Sequence, residues 1–169
     1  TKLILNFAEK ILNSESQNFV QIFERAISFG NLSILDHIVH HVKPNGVIML
    51  NMYRFAIKKG YIEFIEYFMQ NFDFEFKYSM KNQILLRAVL FKSNDIFKYL
   101  IKEFDFVPDM NVLCAACKNK NVELAKIMID LTCESEKKAD FTSAFIEAGL
   151  SGSEEICLYL VDKKVLFNF

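Results

Sequence analysis

The sequence predicts an all-α protein, a solenoid of stacked helical hairpins, and three observations carry that reading. An alanine recurs five times, at Ala26, Ala56, Ala88, Ala116 and Ala148, with intervals of 30, 32, 28 and 32 residues. Around each alanine the apolar positions keep fixed offsets. Three residues before it stand Phe23, Tyr53, Leu85, Leu113 and Phe145, and twelve and thirteen after it stand Ile38-Val39, Phe68-Met69, Leu100-Ile101, Met128-Ile129 and Leu160-Val161. Between these blocks, at offsets +4 and +5, a short break recurs: Gly30-Asn31, Gly60-Tyr61, Lys92-Ser93, Lys120-Asn121 and Gly152-Ser153. A period of this length held over five units is the signature of a repeat array, in which each unit buries its apolar face against its neighbours.

Each unit reads as two helices. From −4 to +1 the apolar residues recur at helical spacing, as in Ile22, Phe23, Ala26 and Ile27 or Met52, Tyr53, Ala56 and Ile57. Glycine at the break closes the first helix because it tolerates positive φ, and Asn or Ser there caps the second. The expected pairs are 19–29/32–41, 48–59/62–71, 82–91/94–103, 109–119/121–131 and 139–151/154–163. The units themselves run about 19–47, 48–79, 80–108, 109–138 and 139–169, and 1–18 reads as the second helix of a truncated preceding unit. Pro44 and Pro108 fall in the connectors, where a helix must have stopped. Phe72-Asp73-Phe74 and Phe104-Asp105-Phe106 share one offset and alternate like half-buried extended chain, and Val165 to Phe169 falls at nearly that offset. With no initiator Met and an end inside a connector, the chain is expected to be part of a larger protein with uncovered apolar ends.

Composition narrows the function. Twenty basic and 21 acidic residues leave a net charge of −1, so no global field draws nucleic acid or an anionic membrane. The chain is 52% hydrophobic with 18 Phe, yet charges interrupt every apolar run well before the roughly eighteen residues a membrane helix needs. Cys114, Cys117, Cys133 and Cys157 lack the even spacing of a disulfide framework, which points to reduced thiols and a cytoplasmic protein.

Few residue patterns point to chemistry. His37 and His41 have the i, i+4 spacing of zinc ligands beside His40, but no Glu stands in the HExxH position and no third ligand is near in sequence. Cys114-Ala115-Ala116-Cys117 has CxxC spacing, but it falls at the small-residue offsets of a first helix, where tight packing explains it. Gly149-Leu150-Ser151-Gly152-Ser153 lacks the last glycine of a nucleophile elbow and any preceding strand. Neither enzyme activity, a metal nor a cofactor is expected.

The alanine and glycine pairs Ala26/Gly30, Ala56/Gly60 and Ala148/Gly152, the apolar pairs Phe68-Met69 and Leu100-Ile101, and the run NVELAKIMID at 121–130 together resemble the ankyrin repeat. That family has units of about 33 residues, each two antiparallel helices and a projecting finger. The resemblance covers residues 19–169 and implies an ankyrin-like α-solenoid. The family's Thr-Pro-Leu-His stretch is absent from every unit, as at 21–24 and 51–54, and Lys92 and Lys120 stand where glycine is usual. Short or irregular fingers are therefore expected. A tetratricopeptide-like or other α-solenoid is the runner-up, but those keep longer units, and the Trp/Gly/Tyr signature is missing here.

The resemblance also implies where a partner binds. Offsets +2 and +3 end the first helix and, in that family, face the concave groove. They carry Ser28-Phe29, Lys58-Lys59, Leu90-Phe91, Lys118-Asn119 and Leu150-Ser151. The expected contacts are Phe29, Lys58, Lys59, Leu90, Phe91, Lys118, Asn119 and Leu150, fitting another protein with an apolar anchor and acidic flanks. The competing reading folds Phe29 and Phe91 under the connectors as core. The function expected is a non-enzymatic scaffold that binds a protein along its concave face, with no nucleic acid and no membrane insertion. The alternative is a rigid spacer within a longer multidomain chain.

Overall fold

The computed structural model describes residues 16–42, 46–71, 78–135 and 139–163. Among them are ten helices and no β-strand. They fall into five hairpins: α1 (Ser16–Ser28) with α2 (Leu32–Val42), α3 (Gly46–Lys59) with α4 (Ile62–Asn71), α5 (Tyr78–Leu90) with α6 (Asn94–Phe104), α7 (Met110–Lys118) with α8 (Val122–Ser135), and α9 (Thr142–Ser151) with α10 (Glu154–Asp162). Residues 1–15 of the preceding helix expected at 1–18, the run at 72–74 and the closing run at 165–169 lie outside the described residues, and 16–18 belong to α1.

The chain divides into two compact units, 1–75 and 76–169. In the first, α1 packs on α2 and on α3, and α3 on α4. In the second, the first helices form one layer, α5 against α7 and α7 against α9, while α8 packs on α10 in a second layer. Small side chains make the close layer possible. Ala26, Ala56, Ala88, Ala116 and Ala148 are all buried, the last four completely. A methyl at this offset lets neighbouring backbones approach, and a larger side chain there would overfill the interface.

Larger apolar residues fill the space between layers. Phe23, Tyr53, Leu85 and Leu113, three before the alanine, are buried, as are Leu35, Ile65, Phe97 and, from the second pair, Val39, Phe68, Leu100, Met128, Ile129 and Leu160. Tyr53 meets Phe68 edge-on at 5.3 Å between ring centroids, joining α3 to α4.

The hairpin turn has one construction in all five copies. The amide at +5 donates to the alanine carbonyl: Asn31 to Ala26 and Tyr61 to Ala56 at 3.1 Å, and Ser93 to Ala88, Asn121 to Ala116 and Ser153 to Ala148 at 2.9 Å. The amide at +4 donates to the carbonyl at +1, at 3.0–3.1 Å throughout. These two bonds are the Schellman closure of a helix, which requires a left-handed residue at +4. Gly30, Gly60 and Gly152 supply it with φ of 63°, 75° and 72°. Lys92 and Lys120 adopt the same conformation at 56° and 54°. The second helix starts at once, since the +5 carbonyl accepts from the amide at +9 in every copy. Asn31 and Asn121 also cap it through Oδ1, to the amides of Ile34 and Leu124. The hydroxyls of Ser93 and Ser153 make no capping bond.

One connector departs from expectation. Phe104-Asp105-Phe106 is not extended: Phe104 ends α6, and Asp105 turns left-handed with φ 50° while its amide bonds the Leu100 carbonyl. That turn buries Phe106 under the ammonium of Lys81, 5.0 Å from the ring centroid. Residues 105–109 then run without regular structure into α7. In the same region Asn82, itself buried, accepts the Asp109 amide on Oδ1 at 2.9 Å, and Asp109 caps α7 by accepting from Val112 at 3.0 Å.

Candidate interaction surface

The fixed turn geometry decides where offsets +2 and +3 point. The first helix closes at these positions, so their side chains stand at the hairpin tip. Phe29 is 82% exposed in the first unit, and Leu150 is 80% and Leu90 43% exposed in the second. Phe91 is half-buried. Lys58, Lys59, Lys118 and Asn119 are exposed. Two of these have local duties as well. Asn119 donates its side-chain amide to the Ala115 carbonyl at 2.7 Å, helping to close α7, and the Lys59 ammonium stands 5.8 Å from the Phe55 ring centroid. Phe29, Lys58 and Lys59 belong to the first unit; Leu90, Phe91, Lys118, Asn119 and Leu150 belong to the second.

Sequence inspection missed a polar ladder on the second helices. Lys98 of α6 pairs with Glu123 of α8, and Lys126 of α8 pairs with Glu155 of α10 at 2.6 Å. Both join offset +10 of one hairpin to offset +7 of the next. Asn94 also donates to Glu123 at 2.5 Å, and the bond from Lys98 holds that carboxyl below its ordinary range. Tyr159 of α10 donates to Asp130 of α8, which also pairs with Lys163 at 2.5 Å. In the first unit Tyr67 donates to Asp36. Repeat-spaced charges at +7 and +10 are the signal that would have revealed it. Solvent-exposed pairs of this kind contribute at most about 1 kcal/mol each.

The cysteines are free thiols. Cys117 is fully buried, and burial pushes its pKa up to about 12, with Cys114 and Cys157 close enough to add to the effect. Burial also raises the thiols of Cys114 and Cys133. Cys117 lies in the core and Cys114 is half-buried beside it on α7, among the small residues of the first-helix layer. His40 Nδ1 donates to the Asp36 carbonyl one turn back at 2.9 Å, and the side chain of His41 lies outside the described residues. No cluster of three or more His, Cys, Asp or Glu suited to a metal occurs among the described residues. Nor is any helix among them long and apolar enough to cross a membrane.

Residues 85–168 match the family model of ankyrin repeats, in three copies. That span begins within α5 and runs through the last two hairpins. No curated protein and no solved structure matches the chain.

Proposed function

We propose that this chain, which belongs to the ankyrin repeat family over residues 85–168, binds another protein through the tips of its first helices. Ankyrin repeats are in general protein–protein interaction modules. The observation that carries the proposal here is the exposure of Phe29 and Leu150 at neighbouring offsets of different hairpins. A large apolar side chain left in water at the closing turn of a first helix is what a binding anchor needs. In the first unit Phe29 is joined by Lys58 and Lys59, and in the second Leu90, Phe91 and Leu150 are joined by Lys118 and Asn119, so each unit by itself offers apolar and polar groups to a partner with acidic flanks. The activity is binding without catalysis, cofactor, nucleic acid or membrane insertion, and the free thiols suit the reducing cytoplasm.

The same reading takes residues 19–169 as five units of the family. Its support in the first two hairpins, which precede the matched span, is their identical pair of turn bonds and left-handed glycine. Site-specific photo-cross-linking tests the function. A photoreactive side chain placed at Phe29 or Leu150 should give a discrete protein adduct in cells, whereas one at Lys102, exposed on a second helix, should not. Equal labelling from all three positions would contradict the proposal.

A further inference from the structure

Lys92 and Lys120 occupy a position built for glycine. In three hairpins the left-handed residue of the turn is Gly; in the third and fourth it is Lys, with the same φ and the same two hydrogen bonds. A side chain in this region costs free energy that glycine does not incur. Strain held at a surface turn that glycine would relieve points to a use for the side chain itself.

Charge placement gives that use a direction. Over offsets +2 to +4 the three hairpins of the second unit read Leu90-Phe91-Lys92, Lys118-Asn119-Lys120 and Leu150-Ser151-Gly152, with three lysines and no acid. The chain as a whole is net negative, so this is a local positive field. Four other lysines of the unit are neutralised, Lys98 by Glu123, Lys102 by Glu103, Lys126 by Glu155 and Lys163 by Asp130, and Lys81 stands over the Phe106 ring. Lys92, Lys118 and Lys120 are exposed and make no ion pair with any described residue. The tips also touch. The Lys120 ammonium lies 3.9 Å from where a Cβ on Gly152 would sit, which brings it onto the turn that presents Leu150.

Resting on the protein-binding reading above, we infer that the three tips of the second unit dock an acidic peptide segment, with Lys92, Lys118 and Lys120 meeting its carboxylates and Leu90 and Leu150 its apolar side chains. A protein ligand is favoured over a nucleic acid because three lysines are too few for a phosphate track, and the two most exposed apolar members, Leu90 and Leu150, are aliphatic, while the one ring, Phe91, is half-buried.

The test uses the whole chain and a fluorescein-labelled dodecapeptide of alternating Glu and Leu, read by anisotropy. Wild type should bind it in a salt-sensitive manner, and its Gln-for-Glu counterpart at least about tenfold more weakly. The variant Lys92→Gly/Lys120→Gly should lose about tenfold in affinity while melting no lower than wild type, because the same changes relieve the turn. Since this variant folds at least as well, lost binding cannot be laid to unfolding. Equal affinity of wild type and variant, or no binding of the Glu-Leu peptide, overturns the inference. Tighter binding of phosphatidylserine vesicles or oligouridylate than of the peptide overturns it too, in favour of a lipid or nucleic-acid polyanion. Cross-linking from Phe29 and Leu150 is independent of these lysines. Adducts there with an unaffected Lys92→Gly/Lys120→Gly variant would retain the protein-binding role and reject the acidic segment.

Discussion

The Ser153 amide donates to the carbonyl of Ala148 at 2.9 Å, and the same bond, from the residue five after the alanine, closes the first helix of each of the five described hairpins. The alanine therefore has two duties: its methyl admits the neighbouring helix, and its carbonyl anchors the turn. That pairing explains why packing and turn keep a constant distance while the connectors vary in length.

The packing duty predicts asymmetric tolerance within α7. Ala116→Leu should destabilise the chain by about 1–3 kcal/mol, because α7 has a first helix on each side and no room to yield. Ala115→Leu, one residue away and only half-buried, should stay within about 0.5 kcal/mol of wild type. Urea denaturation of both variants checks the contrast.

The turn duty predicts a gain. A left-handed non-glycine residue costs roughly 1–2 kcal/mol, and glycine's extra freedom in the unfolded chain gives back about 0.5–1 kcal/mol of that difference. Lys92→Gly and Lys120→Gly should each stabilise by about 0.5–1 kcal/mol, additively, as a rise in the urea midpoint at unchanged slope. Gly30→Lys and Gly60→Lys should do the reverse.

Asn82 holds two hairpins of the second unit together through one buried acceptor. Asn82→Ala strips the Asp109 amide of that partner, at a cost of about 1–3 kcal/mol, and should loosen the 105–109 connector first. Hydrogen exchange should show faster loss of protection at Asp109 than in α6.

The buried thiol gives a pH dependence of definite sign. The folded value of Cys117, about 12, lies above its ordinary 9.0, so the unfolded chain releases this proton first. Its contribution is fully present below pH 9.0 and is lost as pH rises toward about 12. Stability should fall across that alkaline window, and Cys117→Ala should make the fall shallower. Native Cys117 should resist thiol alkylation at pH 8 and react once urea unfolds the chain.

Much of this fold is legible in sequence because its determinants are local and repeated. The alanine offset, the large residue three before it and the two-residue break mark helix ends to within about three residues in most helices, as boundary signals allow. What is not legible arises between hairpins. The left-handed conformation of Lys92 and Lys120 follows from the two turn bonds, whereas residue preference alone would discourage it. The Asp105 turn and burial of Phe106 depend on Lys81 and Leu100, far from the alternating pattern that suggested extended chain. At the interaction surface the offsets name the residues, but only the geometry separates exposed Phe29 from half-buried Phe91. The Lys98–Glu123 and Lys126–Glu155 pairs were readable as a +10/+7 pattern, one that apolar periodicity obscures.

The most direct test of the binding role joins stability and affinity on one variant. Leu150→Ser should leave the melting temperature unchanged, since the side chain is mostly in water, while binding of the partner cross-linked at Leu150 weakens by about 2 kcal/mol or more, roughly thirtyfold by calorimetric titration. An unchanged affinity for that partner would contradict the account.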